Sequence, residues 1–228
     1  MKTFIGLGGL PRSGSTLLGS ILYQNPLIHT EGNSALCQIM WDVQQSCSLS
    51  EQLQASCRTD VANTILRSIP VNYYSNTERP VIVDKCRSWC LPANMDLIKR
   101  YITSEPKIIV MTRGVEDILE SFKSLFEANN RPYDESEFIE PYSEPLMRSL
   151  EGVQYAEENN KGEFLFVSYD DLVNDANTEL NRIYEFLCLE PFQHDLNNIV
   201  TMNPENDLIY GLDGMHHVRS KIGRRDEI

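Results

Sequence analysis

Between Thr3 and Leu18 the chain reads TFIGLGGLPRSGSTLL, an apolar run that turns through glycines and resumes as a helical pattern. Gly9, Gly14 and Thr16 fall at the spacing of the phosphate-binding loop G-x-x-x-x-G-K-[ST], but Ser15 stands where that loop carries its lysine. Part of the chemistry survives this change. The backbone N–H groups along Ser13, Gly14, Ser15 and Thr16, with the helix N-terminus behind them, can cradle an anion whatever the side chains are. The lysine that would reach β- and γ-phosphates is missing. A ligand with a single 5′-phosphate group therefore suits the loop better than ATP, and Arg12 adds a cation beside it.

Further along, Lys85 closes the short apolar run Val81-Ile82-Val83-Asp84, and Arg113 closes Lys107 to Thr112. Cations at the carboxyl ends of strands stand where open α/β sheets collect their ligands. Ser121 follows Arg113 on a helical stretch whose Val115, Ile118, Leu119, Phe122 and Phe126 form an apolar stripe. Between the first helix and the next, His29-Thr30-Glu31-Gly32-Asn33-Ser34 carries an imidazole and a carboxylate. Cys86 and Cys90 are separated by three residues and have no second cysteine pair, so no metal site is expected.

The elements that must position these groups follow from periodicity. Leu17, Leu18, Ile21 and Leu22 share a helical face ahead of Pro26. Two helical patterns are expected over Ser34–Gln45 and Leu49–Ile69, the second capped by Ser48 with Glu51 three residues on. Strands are expected at the start of the Thr3–Leu18 stretch and at Val81–Asp84, Lys107–Thr112 and Phe164–Val167, the last running through Tyr169-Asp170-Asp171-Leu172 into a helix that ends near Cys188. Continuous apolar strands alternating with helices predict a single α/β domain over residues 1–228, with a doubly wound, mainly parallel sheet flanked by helices. Residues 129–145, rich in proline and acids, read as a surface excursion beside a substrate cleft or a solvated loop.

The 228 residues carry a formal charge of −13, which argues against a nucleic-acid partner. Arg219, Lys221, Arg224 and Arg225 nonetheless crowd the C-terminal stretch 214–228, a local anion site or a basic tail. No apolar run approaches the about 18 residues of a membrane span, and the sequence opens on a strand and not on a secretory signal. A cytoplasmic protein with reduced cysteines and no membrane partner is the expectation.

Taken together, these segments resemble the sulfotransferases that use 3′-phosphoadenosine 5′-phosphosulfate (PAPS), most of all the tyrosylprotein branch. Pro11-Arg12-Ser13-Gly14-Ser15-Thr16-Leu17 is similar to the family's 5′-phosphosulfate loop, and Arg113 with Ser121 to its 3′-phosphate motif. Val167-Ser168-Tyr169-Asp170-Asp171-Leu172 resembles its Y-E-D-L segment, and Ser220-Lys221 the opening of its C-terminal cofactor loop. The resemblance implies PAPS as donor, no metal, and transfer of a sulfuryl group to a hydroxyl or amine of a peptide, sugar or small molecule. It implies Arg12, Ser13, Gly14, Ser15, Thr16, Arg113, Ser121, Tyr169, Lys221 and Arg224 as cofactor contacts. Lys85 would stabilise the leaving phosphate, Ser220 the transition state, and Glu31 would serve as base, with His29 its rival. Without a gap the family's glutamate falls at Asn33, two residues from Glu31. The other readings are a P-loop kinase or NTPase, using Asp84 for magnesium, and a nucleotide-binding module without activity.

Overall fold

The computed structural model describes residues 2–202 and 205–223. Five strands, β1 (Thr3–Gly9), β2 (Ile28–Thr30), β3 (Val81–Lys85), β4 (Ile108–Thr112) and β5 (Phe164–Ser168), form one sheet in the order β2-β3-β1-β4-β5. Every neighbouring pair is parallel. The single α/β domain is as expected, except that β2 was not foreseen. Three residues after Pro26 and Leu27 are too short a run to announce a strand, and Ile28 to Thr30 become one only by pairing with Val81 to Val83.

Around the sheet lie α1 (Ser15–Leu22), α2 (Leu36–Leu49), α3 (Glu51–Ala55), α4 (Thr59–Tyr73), α5 (Pro92–Leu97), α6 (Val115–Ala128), α7 (Ser136–Ile139), α8 (Met147–Asn159), α9 (Tyr169–Asn174) and α10 (Ala176–Leu187). The expected cap at Ser48 is corrected to Ser50. The Ser50 hydroxyl accepts from Leu53 N and opens α3, while Ser48 donates to Gln45 O inside α2. Either serine has the right chemistry; Ser50 wins because its own backbone is extended, as an N-cap requires.

Two apolar cores sandwich the sheet. Phe4, Ile82, Trp89, Ile108, Val110 and Phe122 gather on one face; Ile5, Leu7, Val83, Ile109, Leu18 and Ile183 gather on the other. Successive strand residues alternate between these clusters, which is why the strands read as unbroken apolar runs. The 129–145 stretch is anchored: Phe138 on α7 is buried against Phe122, Phe126 and Tyr133.

The register brings three strand ends together. Leu7 of β1 is level with Lys85, and Gly9 is level with Met111, so the loops after β1, β3 and β4 open on one sheet edge. Leu10 N donates to Met111 O at 2.8 Å, and a Cβ on Gly9 would lie 2.2 Å from that same oxygen. Only glycine lets the turn leave the sheet here.

Candidate active site

At the end of β1 the chain makes its anion loop through two left-handed residues. Arg12 has φ 55° and Gly14 has φ 85°, and Gly14 is the N-cap of α1, with Ser15 and Thr16 its first residues. Gly14 carries no side chain to cap the helix, so the first N–H groups of α1 face the loop's concavity. Ser13 is buried, and its hydroxyl is turned inward to Leu10 O at 2.5 Å. What Ser13 offers a ligand is its backbone.

The residues proposed for a 3′-phosphate converge beside this loop. Arg113 Nη1 donates to Arg12 O at 3.0 Å, and its guanidinium lies 4.4 Å above the ring of Tyr169. Its Nε is buried without a hydrogen-bond partner among the described residues. A buried, unmatched N–H on a cation is costly unless an anion meets it, so the cradle fits a phosphate. Ser121 on α6 accepts from Arg12 Nε at 3.1 Å, and Arg12 Nη1 also donates to Met215 O. Arg12 thus ties the loop to α6 and to the C-terminal segment. Tyr169, the first residue of α9, covers Gly14 so closely that a Cβ there would sit 2.6 Å from its Cδ2.

Lys85 is 2 % exposed at the end of β3, and its Nζ has no hydrogen-bond partner among the described residues. Glu205 Oε1 lies 3.6 Å away, an ion pair beyond hydrogen-bond reach. Burial lowers the lysine's pKa to about 8, and Glu205 partly opposes the fall. Glu205 in turn accepts from Asn33 N at 2.6 Å and from Asn33 Nδ2 at 3.2 Å. The chain returns to this point because Ser34 N bonds Lys85 O at 2.8 Å, which draws Gly32 and Asn33 over the β3 end. Gly32 is small by necessity, since a Cβ there would be 2.2 Å from Glu205 Oε1.

A pair that the sequence did not disclose completes the edge. His216 Nδ1 lies 2.6 Å from Asp207 Oδ1, and His216 N donates to Asp207 Oδ2 at 2.8 Å. His216 Nε2 lies 2.9 Å from Asn33 Nδ2. Glu205, Asp207 and His216 are the one group of three potential metal ligands among the described residues. Of these three, Glu205 is ion-paired with Lys85. The only local signal for these residues was an acid and a histidine flanking a turn rich in glycine, Gly211 and Gly214.

The remaining sequence candidates are placed differently. Glu31, just past β2, is paired with His29 Nε2 at 2.9 Å, and His29 packs edge-on to Tyr74. Ser220 and Lys221 are exposed and held by backbone bonds to the 196–199 segment, Ile199 N to Ser220 O at 2.7 Å and Ile222 N to Leu196 O at 3.1 Å. These bonds do not join them to the phosphate loop. Arg224 and Arg225 lie outside the described residues. Cys90 is buried in the core. Asp84 is fully buried with both oxygens engaged, Oδ2 by Tyr74 at 2.6 Å and Ser34 at 2.7 Å, Oδ1 by Trp89 at 2.7 Å. Among the described residues no helix is long and apolar enough to cross a membrane.

Fold and site together define a parallel α/β protein with a glycine loop after its central strand and two cations at the neighbouring strand ends. The chain belongs to the sulfotransferase family, whose model matches residues 5–194. No curated protein matches it. Among solved structures it is similar to a sulfotransferase from Alicyclobacillus acidocaldarius, at 14% identity and TM-score 0.60, over 91% of this chain and 88% of that one. It is also similar to the sulfotransferase domain of the Synechococcus PCC 7002 olefin synthase, at 19% identity and TM-score 0.59, over 96% and 90%. A third is the sulfotransferase domain from the curacin biosynthetic pathway, at 16% identity and TM-score 0.55, over 86% and 79%. At these identities the likeness establishes the fold.

Proposed function

We propose that this sulfotransferase takes PAPS as donor and passes its sulfuryl group to an acceptor hydroxyl or amine by in-line displacement. The donor, when bound, supplies a sulfur already activated by a phosphate leaving group. The observation that carries the reading is the pair of buried donors without a hydrogen-bond partner among the described residues, Lys85 Nζ and Arg113 Nε, on either side of a phosphate loop that lacks the NTPase lysine.

Each residue then has one task. The backbone from Ser13 to Thr16 holds the 5′-phosphate, and Arg113 with Ser121 holds the 3′-phosphate. Tyr169 flanks the adenosine. Lys85 neutralises charge that grows on the phosphate as the sulfuryl group departs, which a preorganised cation in a buried site does effectively. Proton removal from the acceptor needs a base at the Lys85 edge. Glu31, the base implied by the family resemblance, holds His29 Nε2 through Oε1.

The kinase or NTPase reading requires Asp84 to bind magnesium, and both of its oxygens are engaged by core donors. Thermal shift separates the two readings, because a ligand that binds only the native state raises the melting temperature. Stabilisation by 3′-phosphoadenosine 5′-phosphate (PAP) is expected. Stabilisation by ATP with magnesium and not by PAP would overturn the proposal.

A further inference from the structure

Resting on that sulfuryl-transfer reading, we propose that His216 is the general base, held in its working tautomer by the positioning residue Asp207. The side-chain amide of Asn33 can only donate through Nδ2. One of its hydrogens goes to Glu205 Oε2 at 3.2 Å, and the other faces His216 Nε2 at 2.9 Å. Nε2 must therefore present a lone pair. The ring proton then sits on Nδ1, where Asp207 Oδ1 accepts it at 2.6 Å. The second oxygen of Asp207 accepts the backbone N–H of His216 and locks the ring against its own main chain.

This is an imidazole with its basic nitrogen outward and its acidic nitrogen on a carboxylate, the arrangement that lets a histidine take a proton from a hydroxyl. Asp207 is buried, while Asn33 is exposed, so an acceptor O–H can replace the amide N–H at Nε2. One carboxylate, Glu205, lies between the base and the leaving-group cation. Glu205 Oε2 is 3.5 Å from His216 Nδ1, and Glu205 Oε1 is 3.6 Å from Lys85 Nζ. In the transfer, the acceptor proton moves to His216 Nε2 as the acceptor oxygen forms its bond to sulfur. The bond from sulfur to the bridging oxygen breaks, and its electron pair stays on the phosphate facing Lys85. The imidazolium faces Asp207 and Glu205.

A base matters only for an acceptor that still holds its proton. The test is label transfer from [35S]PAPS at pH 8 to unsubstituted phenol and to 4-nitrophenol, which is largely ionised there, in wild type, His216→Asn and Asp207→Asn. His216→Asn should lower kcat on phenol by about 10²–10³-fold, with less than a threefold change on 4-nitrophenolate and in PAP affinity. Asp207→Asn should lower kcat on phenol less. Its 15N histidine spectrum should show the proton shifted from Nδ1, a signature that loss of packing alone does not produce. Should His216→Asn melt early, Asp207→Asn carries the comparison alone. Equal losses on both acceptors, unchanged phenol turnover, or activity lost on chelation and restored by a divalent metal would overturn the assignment. If the wild type binds PAP yet moves label to neither acceptor nor to water, sulfuryl transfer itself fails, and the base with it.

Discussion

Lys85 Nζ and Glu205 Oε1 stand 3.6 Å apart at the sheet edge, the lysine almost wholly buried and the glutamate the largest influence opposing its loss of charge. Burial sets the lysine's pKa near 8, so its cation is lost within an accessible pH range. Turnover should fall as pH rises through about 8 and the neutral amine no longer stabilises the leaving phosphate. Glu205→Gln should move that limb to lower pH, and Lys85→Arg should abolish it while keeping partial activity. Lys85→Met should cost about 10²–10³-fold in kcat. Initial rates from pH 6 to 9.5 in the four proteins check the set; a limb unmoved by Glu205→Gln would count against it.

The same shift has a stability consequence of opposite sense. Lys85 is less basic folded than unfolded, so between pH 8 and its ordinary 10.5 the unfolded chain holds more protons. The folded protein should gain stability over that window, by up to about 3 kcal/mol at 1.36 kcal/mol per unit. Denaturant melts of wild type and Lys85→Met at pH 7.5 and 10 should show the gain in the first protein alone.

Gly14 and Tyr169 set the shape of the loop after β1. Gly14→Ala meets two obstacles, a left-handed backbone that costs about 1–2 kcal/mol for an L side chain and a ring carbon 2.6 Å from the new Cβ. We expect a folded protein whose PAP affinity falls at least about tenfold, because Tyr169 must leave its place over the loop. Calorimetric titration with PAP measures this directly.

Arg113 should discriminate between nucleotides. With its guanidinium stacked on Tyr169 and its Nε unmatched, Arg113→Ala should weaken PAP by about 10–100-fold, the worth of charge-assisted hydrogen bonds. Adenosine 5′-phosphosulfate, which lacks the 3′-phosphate, should bind wild type and variant within about threefold of each other. Parallel losses for both ligands would place Arg113 elsewhere in the site.

Asp84 serves the core. Its three donors would be stranded in Asp84→Ala, and buried donors without partners cost about 1–3 kcal/mol each. Guanidinium unfolding should show a loss of about 3 kcal/mol or more. Asp84→Asn, which keeps one acceptor for Trp89, should lose less, and neither change should alter PAP affinity in the protein that remains folded.

Much of this was legible along the chain because it depends on neighbours. The glycine turn after β1, the apolar runs of β3, β4 and β5 and the cations that close them follow from local rules of burial and backbone freedom, and they yield the fold and the strand-end cations. Ser220 and Lys221 could be picked out by resemblance but not placed, since their position depends on pairing with residues 196–199.

The sequence by itself determined an α/β chain with a glycine loop lacking the NTPase lysine, and with Lys85 and Arg113 at strand ends. Tertiary structure alone decided what faces Lys85. Glu205 reaches it, with His216 and Asp207 beside that glutamate, only because the chain closes back over the sheet edge, setting His216 against Asn33 across a separation of 183 residues. No periodicity or spacing records such a contact, because it is fixed by where whole elements pack and not by the preferences of the residues that meet.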